Sequence, residues 1–199
     1  MRAVMPEVLP EVVALRRRTG ADRWDEMWEG ELHMPPAPNR MHQDLELSLG
    51  AWLRQHWAKP RGCKVYPPIN LALPGRWPQD YRIPDLVLLE PDRFEIDRDE
   101  YFDGPPTALI EIRSPGDETL DKLPFYAKLG VPEVWVIDRD TRVPDIYVLR
   151  DGEYEPMDPD PDGWLHSDAT GIRLRGEPTR KLAIQVGDDS STLDFLPDA

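Results

Sequence analysis

The sequence predicts an α/β chain: a central mixed β-sheet flanked by helices. Three observations point there. Residues 107–137 read strand, helix, strand, the unit that makes a parallel pair with a right-handed crossover. Asp151-Gly152 follows an apolar strand and is a strong hairpin signal, so antiparallel pairs adjoin the parallel one. Residues 40–57 form the clearest helix of the chain, with one apolar face at helical spacing.

The elements follow in order. Residues 7–18 suit a short amphipathic helix through Val8, Val12 and Leu15. Residues 28–34 read as a hairpin or strand around Gly30, and Pro35-Pro36-Ala37-Pro38-Asn39 stops any regular element. Asn39 caps the helix at 40–57, whose apolar face is Leu45, Leu49, Trp52 and Leu53. His42 and His56 fall on that face, and Glu46 falls on its flank one turn after His42. Strands are expected at 64–73, broken by Pro67-Pro68, and at 82–90. Residues 91–106 form an acidic loop before a strand at 107–113. A helix over 117–129 has Asp117 and Glu118 in its first turn and stops at Gly130; Pro124 kinks it or marks a restart. Strands at 133–137 and 145–149 come next, then short strands over 153–186 with turns at Gly163 and Gly171. The chain reads as one domain over 1–199 with its core at 20–180, and 187–199 as a loose acidic tail.

The chemistry sits between Arg82 and Asp138. Pro84-Asp85 heads one apolar strand, and Glu111 interrupts the next. An ionised carboxylate inside a strand loses its hydration. Two on neighbouring strands repel unless a cation sits between them. The simplest physical reading is a divalent-metal site on Asp85, Glu111 and the backbone carbonyl of Ile112. Oxygen ligands suit Mg²⁺ or Mn²⁺, which would lower the pKa of a bound water. Side chains alternate faces, so Arg113 shares a face with Glu111 and can reach a bound phosphate. An interior ion pair of Glu111 with Arg113 or Lys122 is the competing reading. His42 reads as a satisfied histidine or a group at the site, and Glu46 as a solvated flank or a ligand.

Composition bounds the partners. Lys plus Arg number 24 against 38 Asp plus Glu, a formal charge of −14, which argues against broad attraction to nucleic acid and leaves only a local basic groove near Arg113, Lys122 and Lys128. The single cysteine, Cys63, forbids an intramolecular disulfide and points to a reducing, cytoplasmic setting. No apolar run is long enough for a membrane span.

A finer match lies in Glu111-Ile112-Arg113-Ser114-Pro115, Asp121-Lys122-Leu123-Pro124-Phe125-Tyr126 and Gly130-Val131-Pro132-Glu133-Val134-Trp135-Val136-Ile137-Asp138. With Trp28-Glu29-Gly30-Glu31-Leu32, the proline loop and His42-Gln43, these resemble the Uma-two family of endonucleases within the PD-(D/E)XK superfamily. The resemblance spans about residues 20–180. It implies a restriction-endonuclease-like core, metal-dependent hydrolysis of nucleic acid, DNA first, and a homodimer with two sites for two strands. Asp85 and Glu111 fall on the superfamily's metal ligands. The lysine expected two residues after the glutamate is replaced by Arg113, and Lys122 on the following helix is the matching candidate. Arginine does not readily lose its proton, so Arg113 suits phosphate or an acid partner and Lys122 the catalytic role. His42, Glu46, Ser114 and Tyr126 stand as supporting residues, with a plain core aromatic as the other reading of Tyr126. A degenerate, non-catalytic binding module and a hydrolase of small phosphate esters are the alternatives; binding of Mg²⁺ or Mn²⁺ separates the first from a nuclease.

Overall fold

The computed structural model describes residues 3–5 and 9–197. Strand β1 (Ala3–Met5) precedes helix α1 (Pro10–Thr19) and the hairpin of β2 (Glu26–Trp28) and β3 (Glu31–Met34). Helix α2 (Arg40–Trp52) runs into a π-helical stretch (Leu53–Ala58) and a last turn, α3 (Lys59–Arg61). Then come β4 (Lys64–Tyr66), β5 (Asn70–Ala72), β6 (Tyr81–Arg82), β7 (Leu86–Leu89), β8 (Tyr101–Asp103) and β9 (Ala108–Arg113). A 3₁₀ turn (Leu120–Lys122) leads into α4 (Leu123–Leu129), followed by β10 (Glu133–Asp138), β11 (Pro144–Arg150), β12 (Glu153–Pro156), β13 (Leu165–His166), β14 (Ile172–Gly176), β15 (Leu182–Val186) and β16 (Asp194–Leu196).

The central sheet has the order β12-β11-β10-β9-β7-β4. Only β9 and β10 are parallel in it, with Glu111 opposite Val136; the flanking pairs are antiparallel. This is the mixed sheet expected. Asp151 (φ 49) and Gly152 (φ 87) make the two-residue turn between β11 and β12, where both positions need positive φ.

Alternation along β9 assigns the two faces. Ile110 and Ile112 pack with Leu45, Leu49 and Trp57 of the α2 segment and with Leu174, Leu182 and Ile184 of an antiparallel sheet, β13-β14-β15-β16. Leu109 packs on the opposite face with Phe125 and Tyr126 of α4 and with Leu71 and Phe102 of an N-terminal sheet, β1-β3-β2-β6-β5-β8. Glu111 belongs to this second face.

Several expectations are corrected. The helix at 40–57 is not one α-helix. The π-helical stretch adds a residue to a turn and rotates the phase, so Trp57 becomes fully buried and donates from Nε1 to the Thr170 carbonyl at 3.0 Å, while His56 is only half-buried. The helix at 117–129 shrinks to the 3₁₀ turn and α4, because Pro124 has no N–H to give and fits only a first turn. The stretches 64–73 and 82–90 each divide between two sheets, at Pro67-Pro68 and at Pro84. The loop at 91–106 contains a 3₁₀ turn (Pro91–Ile96) and β8, anchored by buried Phe102. Helix α1 buries no side chain and Leu15 is exposed; Arg16 ties it down through Asp25 at 2.5 Å. Residues 7 and 8, the start expected for that helix, lie outside the described residues. The tail is not loose up to residue 197: β16 pairs with β15, Leu196 enters the core, and Trp52 Nε1 donates to the Thr192 carbonyl at 3.0 Å. The acidic average of that stretch hides one apolar anchor. Residues 198 and 199 of the tail lie outside the described residues.

Candidate active site

A cavity of about 490 Å³ collects residues from distant parts of the chain. Its floor is Asp85, Glu111 and Ile112; His42 and Asn39 enter from the start of α2; Lys122 and residues 114–119 enter from the segment before α4; Trp24, Glu26 and the proline loop 35–38 close another side.

Each acid is delivered by local geometry. Pro84 interrupts the ladder, so Asp85 sits in the gap between β6 and β7 and its Oδ2 accepts the Ile112 N–H at 2.6 Å. Glu111 lies on the α4 face of β9. Lys122 and Tyr126, one turn apart, both reach it. Tyr126 donates its hydroxyl to Glu111 Oε1 at 2.5 Å, and Lys122 Nζ lies 3.1 Å from the same oxygen. Lys122 Nζ also lies 2.8 Å from Glu26 Oε1. On the other side Asn39 Oδ1 caps α2 by accepting the His42 N–H at 3.0 Å. That fixes His42, whose Nε2 is 3.2 Å from Asp85 Oδ2 and whose Nδ1 is 3.8 Å from Glu46 Oε2.

Negative charge is in excess here. Glu26, Asp85, Glu111 and Glu46 face one lysine and one histidine. Burial, with the Asp85 and Glu26 carboxylates, pushes the Glu111 carboxyl up to about 8 despite Lys122. Burial and then Asp85 push Glu46 up to about 7. Burial works against charge on Lys122, but Glu111 and Glu26 outweigh it and hold the amine protonated well into the alkaline range. Burial likewise opposes charge on His42, and Asp85, Glu46 and Glu111 raise it. Burial, then Glu111, keeps the Tyr126 hydroxyl protonated.

The donor set fits a divalent cation. His42, Glu46 and Asp85 offer ligand atoms all within 4.8 Å of one another, and His42 Nδ1 is buried with no hydrogen-bond partner among the described residues. Oxygens on three elements around a charge-deficient pocket are the chemistry such an ion completes.

Of the residues singled out from sequence, Asp85, Glu111, Ile112, Lys122, Ser114 and His42 line the cavity, Tyr126 buttresses Glu111, and Glu46 stands beside His42. Arg113 does not join them. It turns to Asp138, which is opposite it across the β9–β10 pair, at 3.2 Å. Asp138, despite some burial, is held down at about 2 by Thr141, Arg113 and the Asp140 N–H. Glu26, Trp24 and Arg139 are among the lining residues that escaped the sequence reading. Glu26 and Trp28 share one face of β2, and Trp28 Nε1 donates to Glu26 Oε2 at 2.7 Å while its ring stacks on His33 at 4.1 Å. An acid and an aromatic two apart were the signal, diluted by the many other acids of the segment. Trp24 and Arg139 lie in loops without periodicity; Arg139 Nη1 donates to Ser114 Oγ at 3.3 Å.

Two comparisons bear on this arrangement. The family model Uma2, described as "Putative restriction endonuclease", matches residues 10–177. A crystal structure of "a putative nuclease belonging to DUF820" from Anabaena variabilis ATCC 29413 is similar in fold, with a TM-score of 0.59, 20% sequence identity, and coverage of 73% of this chain and 82% of that one. No curated protein matches the chain. No helix among the described residues is long and apolar enough to cross a membrane.

Proposed function

The chain belongs to the Uma2 family, and from that premise we propose that it is a divalent-metal-dependent endonuclease hydrolysing phosphodiester bonds of nucleic acid, DNA first. One observation carries the reading: Glu26, Asp85 and Glu111 converge on one pocket around a single lysine, and Glu46 stands behind His42 at its edge. A structural ion pair needs equal charges. This pocket is short of positive charge, and a cation with a phosphate substrate supplies what is missing.

Asp85, Glu111 and the Ile112 carbonyl are the groups that would hold Mg²⁺ or Mn²⁺. When bound, such an ion lowers the pKa of a coordinated water and polarises the phosphoryl oxygen. Lys122 stays charged, so its work is to bind the scissile phosphate and offset negative charge building on it rather than to remove a proton. Glu26 and Glu111 hold its amine at the floor of the cavity. Tyr126 keeps Glu111 from turning. Arg139, at the wall with Ser114, meets a neighbouring phosphate of the strand. Arg113 acts through its pair with Asp138, holding the ends of β9 and β10 together. With a chain charge of −14, affinity for nucleic acid comes from the cavity and its few cations. A homodimer in the cytoplasm, cutting two strands with two sites, is the working assembly.

Cleavage of supercoiled plasmid and of single-stranded RNA, each with Mg²⁺ or Mn²⁺, tests the reading. DNA should be cut, and Lys122→Met should abolish cutting while circular dichroism and Mn²⁺ binding persist. A folded wild-type chain that binds neither ion and cuts neither polymer would overturn it.

A further inference from the structure

We infer that the ion in this cavity is held partly through nitrogen, by His42 Nε2 together with carboxylate oxygens of Asp85 and Glu46, and that the site therefore selects Mn²⁺ over Mg²⁺. This rests on the reading above, taking its divalent ion as given and naming ligands and ion class.

Geometry carries it. In an octahedral shell with bonds of about 2.1 Å, neighbouring ligand atoms lie about 3.0 Å apart. His42 Nε2 and Asp85 Oδ2 are 3.2 Å apart. The ligand atoms of His42, Glu46 and Asp85 all lie within 4.8 Å of one another. The side chain is buried, at 9% exposure, and the Asn39 cap fixes the backbone that presents it. Its Nδ1 has no hydrogen-bond partner among the described residues and lies 3.8 Å from Glu46 Oε2, too far for a hydrogen bond, so no direct hydrogen bond holds the Glu46 carboxylate to the ring. Glu111, by contrast, already has both oxygens engaged: Oε1 by Tyr126 and Lys122, Oε2 by Lys122 at 3.3 Å. Asp85 Oδ2 accepts the Ile112 N–H at 2.6 Å on one side, and His42 meets it on the α2 side, where its nitrogen adds to the ligands offered by Asp85, Glu111 and Ile112.

Ligand type then decides the ion. Mg²⁺ is a hard ion that prefers oxygen and keeps several waters. Imidazole nitrogen suits first-row transition ions, and a mixed nitrogen–oxygen set keeps Mn²⁺ within reach while handicapping Mg²⁺.

A plain His42–Asp85 hydrogen bond would give the same 3.2 Å, so the test reads the nitrogen itself. Pulsed electron paramagnetic resonance on the Mn²⁺-loaded full chain should show nitrogen coupling, and the coupling should change isotope when only histidine is ¹⁵N-labelled. His42→Gln should lose the coupling and weaken Mn²⁺ binding about 10–100-fold, with Mg²⁺ binding changed less than about twofold. Glu46→Gln should weaken Mn²⁺ yet keep the coupling. Where His42→Gln fails to fold, the labelled wild-type spectrum decides alone. An oxygen-only Mn²⁺ spectrum, a coupling that survives in folded His42→Gln, or Mg²⁺ displacing Mn²⁺ at equal concentration overturns the inference and leaves the nuclease reading standing. Binding of neither ion overturns both.

Discussion

Glu111 and Glu133 stand on adjacent parallel strands, and both are almost wholly buried, at 3% and 2% exposure. Glu133 begins β10 and shares its face with Trp135. It accepts from three neutral donors: Ser167 Oγ at 2.6 Å, the Ala169 N–H at 3.0 Å and Trp135 Nε1 at 3.2 Å. Glu111 sits near the far end of β9 on the opposite face. Its neighbours are Lys122, Tyr126 and two further carboxylates. Glu133 ends in a completed hydrogen-bond set that ties the last sheet to the central one. Glu111 ends in a charge set that balances only with a proton or a cation. Burial of an acid does not mark a functional site; the balance its neighbours leave open does.

The pair can be broken most sharply by the same substitution at both positions. Glu111→Gln should cut the cleavage rate by about 10²–10⁴-fold with little loss of melting temperature. Glu133→Gln should do the reverse. An amide puts an N–H where a donor already points, which costs about 1–3 kcal/mol, or about 3–10 °C in melting temperature, while cleavage at 25 °C stays within about threefold. Equal behaviour of the two variants in both assays would erase the distinction.

Titration sharpens it next. Glu111 and Glu46 are raised to about 8 and about 7, so the metal-free folded chain binds more protons than the unfolded one above about pH 4.5. Their contribution to metal-free stability is fully present below that pH and is lost as pH rises through about 7 to 8. A cation needs the ionised forms, so Mn²⁺ affinity should move the other way and strengthen from pH 6 to pH 8. Calorimetry in buffers of different ionisation enthalpy should detect proton release on binding. Glu111→Gln should reduce that release and Glu133→Gln should leave it unchanged. A pH-independent affinity over this range would count against the charge argument.

The smallest effect is expected outside the cavity. Arg113 pairs with Asp138 while 39% exposed, a geometry worth about 0–1 kcal/mol. Arg113→Met should leave the cleavage rate within about tenfold, and a dead variant would return Arg113 to the chemistry. Asp138, held at about 2, contributes stability that is present above pH 3.8 and lost as pH falls towards 2. Acid unfolding followed by circular dichroism should show that loss shrinking in Asp138→Asn.

The mixed sheet was legible because its signals are local: strand–helix–strand at 107–137 and the Asp151-Gly152 turn. Asp85 and Glu111 stood out because each interrupts an apolar run. Lys122 was legible as a possible partner of Glu111, but its catalytic role came from a family likeness. Glu26 was hidden, because an acid in a short, mixed strand looks solvated until a second sheet covers it. The π-helical stretch has no sequence signature, so His56 was placed on the apolar face and the burial of Trp57 went unread. For Arg113 the sequence left two partners open, a phosphate or an acid, and the structure shows the acid. Alternation gives the face of a strand, while the side chain follows the nearest acid, which here is Asp138 on the next strand.

Lys122 Nζ is gripped by Glu26, 96 positions earlier in the chain, across the seam between the N-terminal and central sheets. Such a long closure is among the slower contacts for a chain to make. Until that seam is sealed, the amine lacks one of its two carboxylate anchors. Competence is thereby tied to the end of folding: a nascent or half-unfolded chain carries every residue of the site and still lacks the site. For a protein proposed to cut nucleic acid, the seam doubles as a safety catch.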